Sequence, residues 1–130
     1  MYYPNPAHAE NMLDNQAYAW VTTAFTDYDP KNPLRWCKGY RLRKKGIEYA
    51  SNPSTAPYIL TLLAETPIKE IREAVAYNQN TPPEVLATLA QDEDWRVRWA
   101  AVAGNKNTPH ALLSKLSKDE DRDVRASGQR

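Results

Sequence analysis

Two tryptophans at helical spacing, Trp95 and Trp99, are the residues whose type and position most favour a binding function. Residues four apart lie on one face of a helix, and tryptophan is enriched among residues that dominate binding at protein interfaces. A related segment upstream carries Lys69 and Glu73 at the corresponding positions. Because the copies differ here, we predict a protein-binding surface at this place. The predicted set is Trp95, Trp99, Arg96, Lys69, Glu73 and Arg122.

The same two tryptophans also fit a structural role. Residues 7–50 could fold back over them, or a second copy of the chain could cover them. In both cases the rings would be buried as ordinary apolar surface rather than presented to a partner. The sequence leaves these alternatives open.

A basic stretch between residues 31 and 45 is the second candidate site. It holds seven Lys and Arg residues and no acid, with Trp36 and Tyr40 among them. Cations interleaved with aromatic rings are typical of nucleic-acid-binding surfaces. Alternatively, Trp36, Tyr40 and Leu42 enter the core while the charges stay in solvent. The candidate nucleic-acid-binding set is Arg35, Lys38, Arg41, Arg43, Lys44 and Lys45.

Residues suited to catalysis are few and scattered. His8 and His110 lie far apart, and the single cysteine, Cys37, stands among cations that would favour its thiolate form. A buried, unreactive thiol is the simpler interpretation of Cys37. The acidic cluster at residues 119–123 lacks the spacing of a calcium-binding loop. We therefore predict no catalytic residue, no metal site, no cofactor and no enzymatic activity.

From residue 52 onward the chain is built of similar units. Residues 78–83 (Asn-Gln-Asn-Thr-Pro-Pro) align with residues 105–110 (Asn-Lys-Asn-Thr-Pro-His), 27 positions later. Leu86 then aligns with Leu113, and a fainter upstream copy at an offset of 26 places Leu60 on Leu86. Repetition at this period predicts a solenoid, in which each unit buries its apolar face against its neighbours. The predicted units are residues 52–77, 78–104 and 105–130.

Each unit is expected to hold two short helices. The first helices are predicted at residues 57–64, 82–90 and 109–117, and the second at 67–77, 93–103 and 120–126. Thr81 and Asp92 are predicted N-caps, because their side-chain oxygens can accept the free amides of a first turn. Asn78 is expected to end a helix in the left-handed conformation. One extra residue in the middle unit predicts either a helix bulge or a longer exit turn.

The N-terminal residues do not share the repeat pattern. Residues 7–25 have helical periodicity. One or two short helices are then expected, ending near Ala50, since Gly39 and Gly46 weaken a continuous helix. Residues 1–50 are predicted to form a helical cap that shields the apolar end of the first unit.

The repeated motif resembles a known family. Thr-Pro-x-x-x-Leu-x-x-Leu-(Ala/Ser)-x-Asp, followed by Val-Arg and Ala-x-Asn, resembles the leucine-rich repeat variant, which is similar in appearance to HEAT and armadillo arrays. The resemblance covers residues 78–125 and, less closely, 52–78. It implies an all-α, right-handed α-solenoid of short paired helices that usually serves as a scaffold. The founding type is associated with an iron–sulfur cluster held by about four cysteine thiolates, which a chain with one cysteine is not expected to carry.

The length, net charge and cysteine count of the chain narrow the class of protein to which it can belong. Its 130 residues fit one domain, and its formal net charge of +1 gives no general attraction to nucleic acid or membranes. No apolar run approaches the ~20 residues of a membrane span, and a single cysteine fits a reducing, cytoplasmic location.

We predict a non-enzymatic protein–protein interaction scaffold. The alternative is a HEAT-like nucleic-acid-binding module that uses residues 31–45. The oligomeric state is left open.

Overall fold

The structure is a computed structural model that describes residues 12–26, 28–29, 31 and 36–112, with only the backbone described at residues 12 and 36–39. These residues form helices and turns without a β-strand, which confirms the predicted all-α class. The helices in this part of the chain are α1 (Met12–Thr23), α2 (Trp36–Ser51), α3 (Pro57–Leu63), α4 (Lys69–Tyr77), α5 (Pro83–Leu89) and α6 (Trp95–Ala103).

The helices pack mainly against the helix two places along the chain. α4 lies between α2 and α6 and contacts both, while α1 packs on α3 and α5 packs on α6. Leu60 and Leu86, which occupy one position of the sequence repeat, are fully buried, and so are Ile71 and Val97, which occupy another. The apolar positions that recur in the sequence therefore form the core, as their periodicity predicts. Leu113, the third leucine of the series, lies outside the described residues.

Helix α2 is one helix that ends at Ser51, which decides between the one or two helices predicted here, and its 16 residues make it longer than expected. Gly46 serves the contact between helices. A Cβ atom at position 46 would lie 2.7 Å from Cγ1 of Ile71 and 3.2 Å from Cη2 of Trp20. Ile71 is fully buried and has no space to withdraw. Glycine costs about 1 kcal/mol of helix propensity relative to alanine, and here it allows α2 to approach the side chains of α4 and α1 closely.

Asn78 and Asn105 join successive units through their side-chain amides. Nδ2 of Asn78 donates hydrogen bonds to the carbonyl oxygens of Ala50 at 2.8 Å and Asn52 at 3.0 Å. Nδ2 of Asn105 donates to the carbonyls of Ala76 and Asn78, both at 2.9 Å. Each Oδ1 accepts the backbone N–H two residues later. Both asparagines are buried, so this arrangement, the asparagine joint, satisfies backbone carbonyls that water reaches poorly.

The predicted left-handed conformation at Asn78 is wrong. Asn78 has φ −73° and ψ 127°, which is extended backbone. Within the described residues, every non-glycine residue has a negative φ. Asparagine is therefore used here for its two amide donors and not for its tolerance of unusual backbone angles.

The predicted N-cap at Thr81 is also wrong. Helix α5 begins at Pro83 with Pro82 as its N-cap, and no side chain caps it. The buried hydroxyl of Thr81 instead donates to the carbonyl oxygen of Val75 at 2.6 Å. The hydroxyl of Thr55 donates in the same way to Tyr49 at 2.6 Å, one unit earlier. The threonines therefore satisfy carbonyls near the end of the preceding helix, where partners within the helix run out.

The prediction that Asp92 is the N-cap of α6 is wrong, because Asp92 pairs with Arg72 instead. The N-cap is Asp94, whose Oδ1 accepts the backbone N–H of Arg96 at 2.9 Å. Oδ2 and Oδ1 of Asp92 accept from Nε and Nη2 of Arg72 at 2.8 and 3.2 Å. Nη1 of Arg72 donates to the carbonyl of Thr66 at 2.9 Å. A guanidinium fork that matches a carboxylate in this way fixes geometry as well as charge, so this ion pair ties the start of α4 to the loop before α6.

The extra residue of the middle unit lies in the exit turn, which decides between the two alternatives. Helices α4 and α6 each have nine residues. α4 is followed directly by Asn78, whereas α6 is followed by Gly104 and then Asn105. The helix itself therefore keeps its length, and the added residue is Gly104.

The asparagine joint predicts a large loss of stability for Asn78→Ala. The variant leaves the carbonyl of Ala50 without its side-chain donor and leaves that of Asn52 with the backbone N–H of Thr55 alone. We expect a loss of about 1–3 kcal/mol. Asn80→Ala is the matched control, since the amide of Asn80 also crosses between units, donating to Pro53 at 2.8 Å, but is exposed. Water can replace it, so a loss below about 1 kcal/mol is expected. Urea unfolding of the two variants measures both values, and equal losses would contradict this role of burial.

Candidate protein-interaction surface

Trp95 is the exposed member of the predicted tryptophan pair. It is the first residue of α6 and is 39% exposed. The guanidinium of its neighbour Arg96 lies 5.6 Å from the centre of its ring, at cation–π distance. α1 and α2 pack on α3 and α4 and leave Trp95 open to solvent. An exposed tryptophan ring next to an arginine is the composition typical of interface residues.

Trp99 is half-buried and packs against the core and against Tyr77. The ring centres of Tyr77 and Trp99 are 6.5 Å apart with an interplanar angle of 62°, an edge-to-face arrangement. Tyr77 also lies over Gly104, where a Cβ atom would come within 2.5 Å of Cδ1 of the Tyr77 ring. The extra glycine of the exit turn therefore provides the space that the ring of Tyr77 occupies. Tyr77 itself remains 40% exposed.

Lys69, Glu73 and Tyr77 follow one another at steps of four residues on α4 and so share one face. Nζ of Lys69 lies 3.7 Å from Oδ2 of Asp94, the N-cap of α6. Burial raises the pKa of the Tyr77 hydroxyl above its ordinary value, and the negative charge of Glu73 raises it further. The surface is thus a row on α4 beside Trp95 and Trp99 on α6, and α4 contacts α6 directly.

The structure brings together most of the predicted partner-binding residues. Lys69, Glu73, Trp95, Arg96 and Trp99 lie on two adjacent helices. Arg122 lies outside the described residues. Sequence reasoning missed Tyr77, although its position four residues after Glu73 on the same helix was a usable signal. We call Lys69, Glu73, Tyr77, Trp95, Arg96 and Trp99 the α4–α6 surface.

The basic stretch presents most of its described charges to solvent. Arg41, Arg43, Lys44 and Lys45 are exposed on α2, and Leu42 is buried. Tyr40 is 50% exposed, so its predicted alternative place in the core is wrong. The guanidinium of Arg43 lies 5.5 Å from the centre of the Tyr40 ring, and Nζ of Lys45 lies 5.1 Å from that of Tyr49. Arg35 and the side chains of Trp36, Cys37 and Lys38 lie outside the description.

The other candidate features form no organised site within the part of the chain that the structure describes. His110 is exposed near the end of the described residues, while His8 and residues 119–123 lie outside them. Within the described part, no group of three His, Cys, Asp or Glu residues is arranged to hold a metal ion.

A groove of about 540 Å³ runs along α1 and the end of α2. It is lined by Leu13, Gln16, Lys45, Glu48, Tyr49, Ser51, Asn52 and Pro53.

No helix among the described residues is both long enough and apolar enough to cross a membrane.

Comparison with known proteins supports the resemblance found in the sequence. The family model of the leucine rich repeat variant matches residues 70–94. This segment contains most of α4, the whole of α5 and the loop that carries Asp92 and Asp94. Comparison with curated proteins and with solved structures found no significant match. The segment that resembles the family therefore includes Glu73 and Tyr77 of the α4–α6 surface.

The environment of Tyr77 predicts a measurable titration. In a spectrophotometric titration, the difference between wild type and Tyr77→Phe isolates the phenol of Tyr77. Its midpoint should lie above the ordinary tyrosine pKa of about 10. Glu73→Gln should lower the midpoint, because a nearby negative charge disfavours the phenolate. The midpoint should still exceed the ordinary value, because burial is unchanged. A midpoint that does not respond to Glu73→Gln would show that the two groups do not interact.

Proposed function

We propose that this protein is a non-enzymatic interaction scaffold whose α4–α6 surface binds a protein partner. The observation that carries this proposal is the exposure of Trp95 on a surface that also holds Trp99 and Tyr77. Trp95 and Trp99 stand where the preceding unit has Lys69 and Glu73. Positions shared by all units, such as Asn78 and Arg72, are occupied in internal hydrogen bonds. The ring of Trp95 is not part of the core cluster of the described residues and stays exposed, which favours binding.

We further propose that the units form a right-handed α-solenoid. The repeated asparagine joint supports this, because the same contact at nearly constant spacing relates each unit to the next in the same way. The resemblance to the leucine rich repeat variant, a family of helical repeats, also supports the solenoid. It supports the scaffold function too, since helical repeat families often act as interaction scaffolds. A cytoplasmic location is also a proposal, and it rests on the single cysteine.

The proposal predicts that Trp95→Ala weakens partner binding by about 2 kcal/mol or more, as truncation of a binding hot spot does. Proteins captured from the native host by wild type and by the variant are compared by quantitative mass spectrometry. The dissociation constant is then measured for any purified partner. Trp95→Ala is preferable to Trp99→Ala, because Trp99 packs against the core.

Tyr40→Ala is the matched control, since Tyr40 is an exposed aromatic residue on α2, away from the α4–α6 surface. It should leave partner binding unchanged. The circular dichroism spectra of both variants should equal that of wild type. Partner binding that survives Trp95→Ala, or that Tyr40→Ala weakens equally, would reject the proposed surface.

Nucleic-acid binding by α2 is the second candidate function. The exposed cations Arg41, Arg43, Lys44 and Lys45, with the ring of Tyr40 beside Arg43, favour it. None of the four forms an ion pair with a carboxylate among the described residues. Such cations are available to displace counterions from phosphates.

This candidate predicts a steep salt dependence of binding to labelled single-stranded DNA or RNA. The logarithm of affinity should fall by roughly 0.7 per neutralised phosphate for each unit of log salt. The combined variant Arg41→Glu, Arg43→Glu and Lys44→Glu should abolish binding, whereas Lys106→Glu, an exposed cation elsewhere, should not. Weak binding with a flat salt response would exclude this function and leave the protein scaffold.

A further inference from the structure

Glu73 is a half-buried carboxylate at the centre of the α4–α6 surface. Within the described part of the chain, its carboxylate accepts no hydrogen bond and forms no ion pair. A partly dehydrated negative charge gains stability from a positive partner. In this respect Glu73 differs from Asp92 and Asp94, which are engaged with Arg72 and with the backbone of Arg96.

The cations beside Glu73 on this surface are already engaged. Lys69 pairs with Asp94, and the guanidinium of Arg96 lies over the ring of Trp95. Neither cation pairs with Glu73, so its carboxylate is the group that an incoming cation can pair with. A cationic group is the electrostatic complement.

The ring of Tyr77 lies next to this carboxylate, and the ring of Trp99 packs on that of Tyr77. Tyr77 lies one helical turn after Glu73, and Trp99 holds the Tyr77 ring edge-to-face from α6. Gly104 leaves the space in which the Tyr77 ring sits, so the ring has a defined place. Aromatic faces attract cations, and the attraction increases when the cation is partly desolvated.

We propose that Glu73, Tyr77 and Trp99 form a binding site for an arginine side chain that the protein partner presents. Arginine fits better than lysine because its planar guanidinium stacks on an aromatic ring and donates paired hydrogen bonds to a carboxylate. This inference rests on the proposed function and specifies the partner's chemistry.

The test uses two short glycine–serine peptides that differ at one position, with arginine in one and citrulline in the other. Citrulline has nearly the same shape but no charge. Binding to the full chain is followed by NMR through the assigned indole N–H of Trp99 and the ring protons of Tyr77. The arginine peptide should bind at least about tenfold more tightly than the citrulline peptide, which is the difference one charge-assisted contact makes.

Three variants locate the preference for arginine. Glu73→Gln keeps the size of the side chain and should abolish the preference. Glu70→Gln, which removes a neighbouring acid of the same helix, should retain it. Tyr77→Leu, at an exposed position that tolerates change, should weaken arginine binding while the helical signal stays intact. This last variant keeps the test decisive if Glu73→Gln does not fold.

Each other outcome overturns the inference. The inference is rejected if the two peptides bind equally or if neither binds. It is also rejected if the preference for arginine persists in Glu73→Gln. Self-association in sedimentation that depends on Glu73 would assign the site to a second copy of this chain instead. A partner whose capture depends on Trp95 but not on Glu73 would leave the proposed function in place while rejecting the arginine site.

Discussion

The asparagine joint is the interaction on which the rest of the structure depends. Where one unit meets the next, the carbonyls of Ala50 and Ala76, near the ends of their helices, accept the side-chain amides of Asn78 and Asn105. The carbonyls of Asn52 and Asn78 accept the same amides in addition to the backbone N–H groups of Thr55 and Thr81. A single buried amide supplies both donors. Because the contact is directional, it fixes the alignment of neighbouring units, whereas apolar packing alone would permit sliding. That alignment places the α4 row of Lys69 and Glu73 beside Trp95 and Trp99.

The helical class, the repeat period and the core leucines could be predicted because burial leaves a periodic pattern in the sequence. The ends of the helices could not be predicted with the same success. Short-range rules assign Thr81 and Asp92 to the nearest free amides. In the structure Thr81 binds a carbonyl six residues back, and Asp92 binds Arg72, 20 residues away. The short-range pattern is the same in both cases, so only the packed structure distinguishes capping from these longer connections.

In the candidate surface, too, some residues could be predicted from the sequence and others could not. The tryptophans could be found because they break the pattern of the copies, but Tyr77 could not be placed without Gly104. The extra residue could be counted from the sequence, yet its purpose depends on a ring from the preceding unit that lies over it. Gly46 is a similar case, since its neighbours Ile71 and Trp20 come from two other helices. Glycines of this kind record close approaches between segments that are distant in the chain.

The same amide geometry sets what deamidation of Asn78 or Asn105 would do to the structure. Deamidation converts a side-chain amide into a carboxylate and so removes both donors at once. The new anionic oxygen would face the carbonyl oxygens of Ala50 and Asn52, or of Ala76 and Asn78, and attraction would become repulsion. One slow covalent event at either asparagine would therefore weaken the contact between two units and, with it, the apolar core that the units share.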